Sequence, residues 1–302
     1  MTSQFCKPVP LPGWRDISDL EPFSEAEFES YRALYQYDQR PLHARVEKVD
    51  ATSPLWREET ITFDAAYPGH RVTAHLFLPK TGRPPYQTVI FFPGRGAIED
   101  VSFQGPPYRA LWQCIVTSGR AVLFPIYYGT YERPSEHGRV WTVQSAAETP
   151  LIYRDWMIRM AKDLRRSIDY LETRDDIDSD KIGYHGYSAG ALSGQIMLAV
   201  EDRIDTGIFV HGGLLPIDLP RSFDLALYAQ RIHVPVLMIN GAEDVLLPAE
   251  VGQKPMFQIL RKAHPDTRHA VYPGGHGEFS LFFEQIRTDV LTWLDRHLGP
   301  IQ

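Results

Sequence analysis

The chain has 302 residues, 43% of them hydrophobic and 23% charged, a balance that supports a large buried core and leaves no room for extensive disorder. A net charge of −7, with no long run of Arg or Lys, removes the electrostatic source of nucleic-acid binding. Cys6 and Cys114 are too few for a disulfide framework or a cysteine zinc site, residues 1–14 lack the apolar segment of a signal peptide, and no stretch reaches membrane-spanning length. The expectation is a cytoplasmic protein with neither nucleic-acid nor membrane partner.

Residues 24–37 place Phe28, Tyr31, Leu34 and Tyr35 at helical spacing behind a Ser24 cap with Glu27 three positions on, which predicts an N-terminal helix packed on the main body. Residues 46–78 alternate apolar and polar side chains between turn signals, as at 59–63 and 72–78, and predict an antiparallel start to a sheet. The pattern then changes. Short continuous apolar runs at 88–92, 121–124, 181–185, 207–210 and 236–239 read as strands covered on both faces. Between them lie helical patterns, the clearest with Met157, Met160, Ala161, Leu164, Ile168 and Leu171 on one face. A last helix, at about 281–298, stacks Phe282, Ile286, Val290, Trp293, Leu294 and Leu298. Strands alternating with helices predict a mostly parallel, doubly wound α/β sheet with helices on both faces. The expected organisation is an N-terminal helical extension over residues 1–50 and one catalytic domain over 51–302.

Three loops carry chemistry. Gly186-Tyr187-Ser188-Ala189-Gly190 follows an expected strand and opens an expected helix, the context of a nucleophile elbow, where a strained turn presents the serine and flanking side chains would collide with their neighbours. An ordinary glycine-rich turn is the plain alternative. A serine hydroxyl needs a base, and His276, in Tyr272-Pro273-Gly274-Gly275-His276-Gly277 before the last helix, is well placed to supply one. His185, His211, His233 and His264 read more simply as core or surface histidines. The acid that orients His276 is expected at Asp244, in the loop after the strand at 236–239, with the adjacent Glu243 as its rival and Asp218 and Asp224 as weaker choices.

The order Ser188, Asp244, His276 and the elbow resemble the α/β-hydrolase superfamily, nearest the dienelactone hydrolase, acetyl esterase and prolyl-oligopeptidase-like catalytic domains, over roughly residues 59–298. The resemblance implies an oxyanion hole from the backbone N–H groups of Ala189 and Arg95, the latter in Phe92-Pro93-Gly94-Arg95-Gly96, where many relatives carry histidine in place of Pro93; Gly96 is the alternative donor. Gly94-Arg95-Gly96 also mimics a dinucleotide fingerprint, but Glu99 stands where the third glycine belongs. No cofactor is expected, and no metal spacing is evident. The 56 residues from Ser188 to Asp244 leave little space for a large cap.

The long segment 127–150 follows an expected strand and leaves from the sheet end where such sites form. Tyr127, Tyr128, Tyr131 and Trp141 offer it aromatic surface, and Arg133 and Arg139 add charge; alternatively these side chains only pack the segment down. Tyr128, Trp141 and Tyr187 are the expected substrate contacts. Together these readings point to a carboxylesterase acting on small esters with short acyl groups. A peptidase or amidase, an acyltransferase, and a non-catalytic module of the same fold stand as alternatives, and self-association is left open.

Overall fold

The computed structural model describes residues 20–105, 109–137, 148–215 and 218–301. It begins with helix α1, Glu25–Arg32, whose Ser24 hydroxyl accepts from the Glu27 N–H at 3.2 Å. The expected reciprocal cap does not form, because the Glu27 carboxylate pairs with Arg221 instead. A tighter 3-10 turn at Ala33–Tyr35 ends the helix and shifts the apolar stripe. Phe28 and Tyr35 are buried against Tyr228 while Leu34 is left exposed.

Nine strands form one sheet: β1 (Arg45–Asp50), β2 (Trp56–Asp64), β3 (Arg71–Pro79), β4 (Tyr86–Phe92), β5 (Ala121–Ile126), β6 (Ile177–Tyr187), β7 (Thr206–Val210), β8 (Val236–Gly241) and β9 (Arg268–Tyr272). Their spatial order is β1-β2-β3-β5-β4-β6-β7-β8-β9. The first three strands and the β3–β5 contact are antiparallel, and all pairs from β5 through β9 are parallel. This is the mostly parallel architecture with an antiparallel start that the change of pattern after residue 78 predicts.

The remaining helices are α2 (Gly96–Glu99), α3 (Arg109–Thr117), α4 (Pro150–Leu171), α5 (Ala189–Val200), α6 (Leu225–Ala229), α7 (Lys254–Ala263) and α8 (Phe283–His297). Helices α3 and α8 cover one face of the sheet, where Leu111, Ile115, Val290 and Trp293 meet Val89, Phe91, Ile208 and Leu237. Helices α4, α5 and α7 cover the other, with Met157, Leu164, Ile196 and Leu260 in the cluster that holds Ile90, Phe92, Phe209 and Met238. Successive residues of β4 therefore serve opposite cores, which is why its sequence is apolar without alternation. Chain order reverses at β4: the chain steps outward to β5 and returns by α4 to β6, so the carboxyl ends of β4 and β6 flank the switch point where open α/β sheets place their sites. Between Ser188 and Asp244 the described chain supplies α5, β7, a 3-10 turn, α6 and β8. Among the described residues, no helix is long and apolar enough to cross a membrane.

Candidate active site

Four parallel strands, β6 to β9, end on the same sheet edge, and each delivers one side chain there. Ser188 follows β6 with φ 51° and ψ −105°, a left-handed backbone that a non-glycine residue adopts only when its surroundings enforce it. The neighbours that enforce it are close. A Cβ on Gly186 would lie 2.5 Å from the Gly190 carbonyl, and one on Gly190 would lie 2.3 Å from the Phe92 oxygen. Both glycines are therefore required by contact, as the elbow pattern anticipates. Ser188 N–H donates to Val210 O at 2.8 Å, and Gly190 N–H to Pro93 O at 3.0 Å, which fastens the elbow to β7 and to the loop after β4.

That second bond sets the elbow beside the expected oxyanion donors. The N–H of Ala189 opens α5 and the N–H of Arg95 precedes α2, and among the described residues neither donates in the backbone hydrogen bonds of these loops. The Arg95 side chain is exposed and pairs with Glu99 at 2.7 Å.

Ser188 Oγ lies 2.8 Å from His276 Nε2, and His276 Nδ1 lies 2.8 Å from Asp244 Oδ2. The other Asp244 oxygen accepts from the Leu246 and Leu247 N–H groups at 2.9 and 3.0 Å. Burial alone would raise the Asp244 pKa, but the polar contact with His211 and hydrogen bonds from His276 and the Leu247 amide outweigh it and hold the carboxyl well below the usual carboxylate range. Asp244 is thus a fixed anion. Its rival Glu243 faces elsewhere: it is exposed, and its carboxylate accepts from the Gly274 N–H. The loops after β8 and β9 are zipped together by Ala242 N–H to Tyr272 O at 2.8 Å and Glu243 N–H to Gly274 O at 3.0 Å. Acid and base therefore sit on one braced unit.

The structure adds a residue that sequence reasoning set aside. His211, just beyond β7, is fully buried among these groups, with Nδ1 3.3 Å from Asp244 Oδ2 and Nε2 accepting from the Gly277 N–H at 2.8 Å. His211 is a buried core histidine, one of the two kinds expected, but one that lies against the acid and the base. The signal available was positional, a histidine followed by Gly212-Gly213 at the carboxyl end of the strand beside the nucleophile strand. Donor atoms of His211, Asp244 and His276 all lie within 4.8 Å of one another, a set that could also take a divalent ion. The contact from Ser188 to the far nitrogen of His276 gives the same residues a purpose without one.

The expected substrate contacts separate. Tyr187 is buried beside the nucleophile and lines a pocket of about 450 Å³ with Arg109, Ala110, Leu111, Gly277, Phe279 and Phe283. Tyr128 does not line that pocket. Its N–H donates to the buried Asp163, its hydroxyl accepts from Arg159 at 2.6 Å, and its ring packs on Tyr67 and His70, so it anchors the loop after β5. Arg133 is likewise spent, bonded to Asp163 at 2.6 Å and to the Tyr67 hydroxyl at 2.8 Å. Tyr127 stacks on Phe92, and Tyr131 packs against Phe103. The physical reason is one buried carboxylate, Asp163, which must be satisfied and gathers the segment around itself. Trp141 and Arg139 lie outside the described residues.

A doubly wound sheet with a serine on a strained turn after β6, an acid after β8 and a histidine after β9 defines an α/β-hydrolase. The dienelactone hydrolase family model matches residues 105–285, more than half of the chain, and the chain belongs to that family. Among the curated proteins compared, none matches it. The fold is shared with an acetyl xylan esterase from a Paenibacillus species at 16% identity, covering 90% of this chain and 93% of that one with a TM-score of 0.64. It is similar as well to acetyl xylan esterase 1 from a Thermoanaerobacterium species, at 18% identity, 89% and 95% coverage and a TM-score of 0.62. A glucuronoyl esterase from Solibacter usitatus aligns at 13% identity over 87% of this chain and 91% of its own, with a TM-score of 0.60. Family and fold are those of ester hydrolases.

Proposed function

We propose that the protein is a serine carboxylesterase in which Ser188 is the nucleophile, His276 the general base and Asp244 the acid that orients it. The observation that carries this reading is the 2.8 Å contact from Ser188 Oγ to His276 Nε2, continued at 2.8 Å from Nδ1 to Asp244. Ser188 Oγ attacks the ester carbonyl carbon while its proton passes to His276 Nε2, and the resulting oxyanion is received by the N–H groups of Ala189 and Arg95. Collapse expels the alcohol, which takes the proton from His276. Water then repeats both steps on the acyl-enzyme and regenerates Ser188. The helix dipole of α5 points its positive end at the developing charge.

The substrate is a small ester with a short acyl group. Support comes from the pocket beside Tyr187, whose 450 Å³ and apolar walls of Leu111, Phe279 and Phe283 suit a compact group, and from the chain between Ser188 and Asp244, which is spent on the sheet and its connections. The neighbours that act on acetylated xylan agree with a small acyl group. The reading is tested with acetyl, butyryl and palmitoyl p-nitrophenyl esters on wild type and Ser188→Ala. Expected are a kcat at least about 10⁴-fold lower in a folded Ser188→Ala, loss of fluorophosphonate labelling, and a kcat/KM for acetyl or butyryl well above that for palmitoyl. A folded Ser188→Ala enzyme near wild-type turnover defeats the mechanism; equal use of palmitoyl ester defeats the short-acyl preference.

A further inference from the structure

His211 has no part in the attack and collapse just described, yet it is built into the site at a cost. Its φ of +52° is a left-handed conformation uncommon for any residue but glycine, though less so for Asn, Asp and His than for others. The turn is held there deliberately. Its N–H donates to Ile239 O at 2.7 Å, while the Gly212 and Gly213 carbonyls accept from the buried amides of Asn240 at 2.8 Å and Gln195 at 3.0 Å. The side chain that leaves this turn lies alongside both the acid and the base, which contact each other directly.

The ring is oriented as firmly as the backbone. Phe279 lies nearly parallel to it with centroids 4.1 Å and planes 8° apart, His276 packs on it at 4.5 Å, and Tyr187 meets it edge-on at 5.7 Å. The Gly277 N–H donates to Nε2, so a neutral ring carries its proton on Nδ1, which lies 3.3 Å from Asp244 Oδ2, within contact distance but outside hydrogen-bond geometry. Burial favours that neutral form. One rigid planar group thus touches the acid with a donor and the backbone next to the base with an acceptor.

We propose that His211 is a positioning residue for ester hydrolysis: its Nδ1–H and Nε2 hold the Asp244 carboxylate and the Gly277 backbone at a fixed separation, so that His276 meets Ser188 in one orientation. The inference rests on the serine-esterase reading of the site. The backbone bonds that brace the loops of Asp244 and His276 end at Glu243 and Gly274, and His211 ties the two loops again beyond that point, at Asp244 and Gly277. A displacement of about 1 Å at a reacting group costs on the order of 10²-fold in rate, so loss of this spacer reaches kcat before it reaches binding.

The test compares His211→Phe, which keeps a ring for packing but no polar atom, with His211→Asn, which tolerates the left-handed backbone and places an N–H donor near the position of Nδ1. His211→Gly, which fits the same backbone without strain, replaces the Phe variant if that one does not fold. Expected are a kcat about 10- to 100-fold lower in the Phe or Gly variant with KM within about twofold of wild type, and only partial recovery by Asn, which restores a donor toward Asp244 but has no acceptor for the Gly277 N–H. The rate of fluorophosphonate labelling of Ser188 should fall and recover in parallel. A folded Phe or Gly variant with kcat within threefold of wild type overturns the proposal, as does an Asn variant with wild-type kcat, because it lacks the acceptor that Nε2 offers to Gly277. Ser188→Ala separates the two claims, because an active Ser188→Ala enzyme sinks the serine reading, whereas a Ser188-dependent enzyme indifferent to His211 sinks only this one.

Discussion

His185, inside β6, and His211, just beyond the adjacent β7, are both fully buried, and they differ in their surroundings. His185 lies inside β6, paired in register with Ile208 of β7, and stacks on Phe91 with centroids 4.9 Å apart. Neither of its ring nitrogens has a hydrogen-bond partner. Burial pushes its pKa down to about 4, so it behaves as a neutral, flat piece of core. His211 lies just past the end of β7, where the Gly277 N–H donates to its Nε2 and Asp244 Oδ2 stands 3.3 Å from its Nδ1, so one nitrogen is hydrogen-bonded and the other lies against a carboxylate. Depth of burial does not distinguish these histidines; distance along the strand to its carboxyl end does. In the sheet interior both sides are occupied by helices, while at the edge the loops bring donors and acceptors together.

Three substitutions and one additive sharpen or break that contrast. The largest effect is expected at the edge: Asp244→Asn should lower kcat by about 10³- to 10⁴-fold, because an amide cannot hold the histidine's tautomer as the carboxylate does, while the protein stays folded by circular dichroism. In the interior, His185→Met should leave kcat at pH 8 within about threefold and alter the pH dependence of stability. An unfolded histidine takes a proton near pH 6.5 and the folded one near 4, so the unfolded chain binds more protons across that window. Wild-type stability is therefore full above about pH 6.5 and falls as pH drops toward 4, by up to about 3 kcal/mol from this group. Urea unfolding at pH 8 and pH 4.5 should show a smaller difference in His185→Met; an equal difference would mean that the ring is not buried neutral.

The smallest effects concern groups near the edge that face away from the reaction. Glu243→Gln should change kcat less than about threefold, since its carboxylate holds the Gly274 backbone and not His276. If this variant were the more damaged of the two acids, the choice of Asp244 would fall. EDTA should leave turnover unchanged, and loss of activity restored by a divalent ion would instead assign the cluster of His211, Asp244 and His276 to a metal.

Much of this was legible in the chain. Period-two alternation in residues 59–63 and 72–78 and continuous apolar runs after residue 88 each follow from whether one or both sheet faces are covered, so strand type and sheet class could be read locally. Ser188 was legible because its constraint is also local: the glycines at 186 and 190 stand where a Cβ would strike the next turn. Helix α1 shows the limit. Its spacing gave Leu34 to the core, but a 3-10 turn at Ala33–Tyr35 rotated that residue into solvent.

The aromatic segment after β5 could be read from the chain either as pocket wall or as packing. Tyr128 and Arg133 have the chemistry of substrate contacts, and nothing in their neighbours along the chain shows that Asp163, on a distant helix, requires them as partners. His211 was overlooked because its meaning depends on loops that follow β8 and β9. The sequence by itself determined the periodicities, the strained serine and the chain order of Ser188, Asp244 and His276, since each is written in neighbouring residues or in their succession. Only the tertiary structure decided which buried polar groups meet, because a charge or imidazole taken out of water is defined by partners that arrive from elsewhere in the chain.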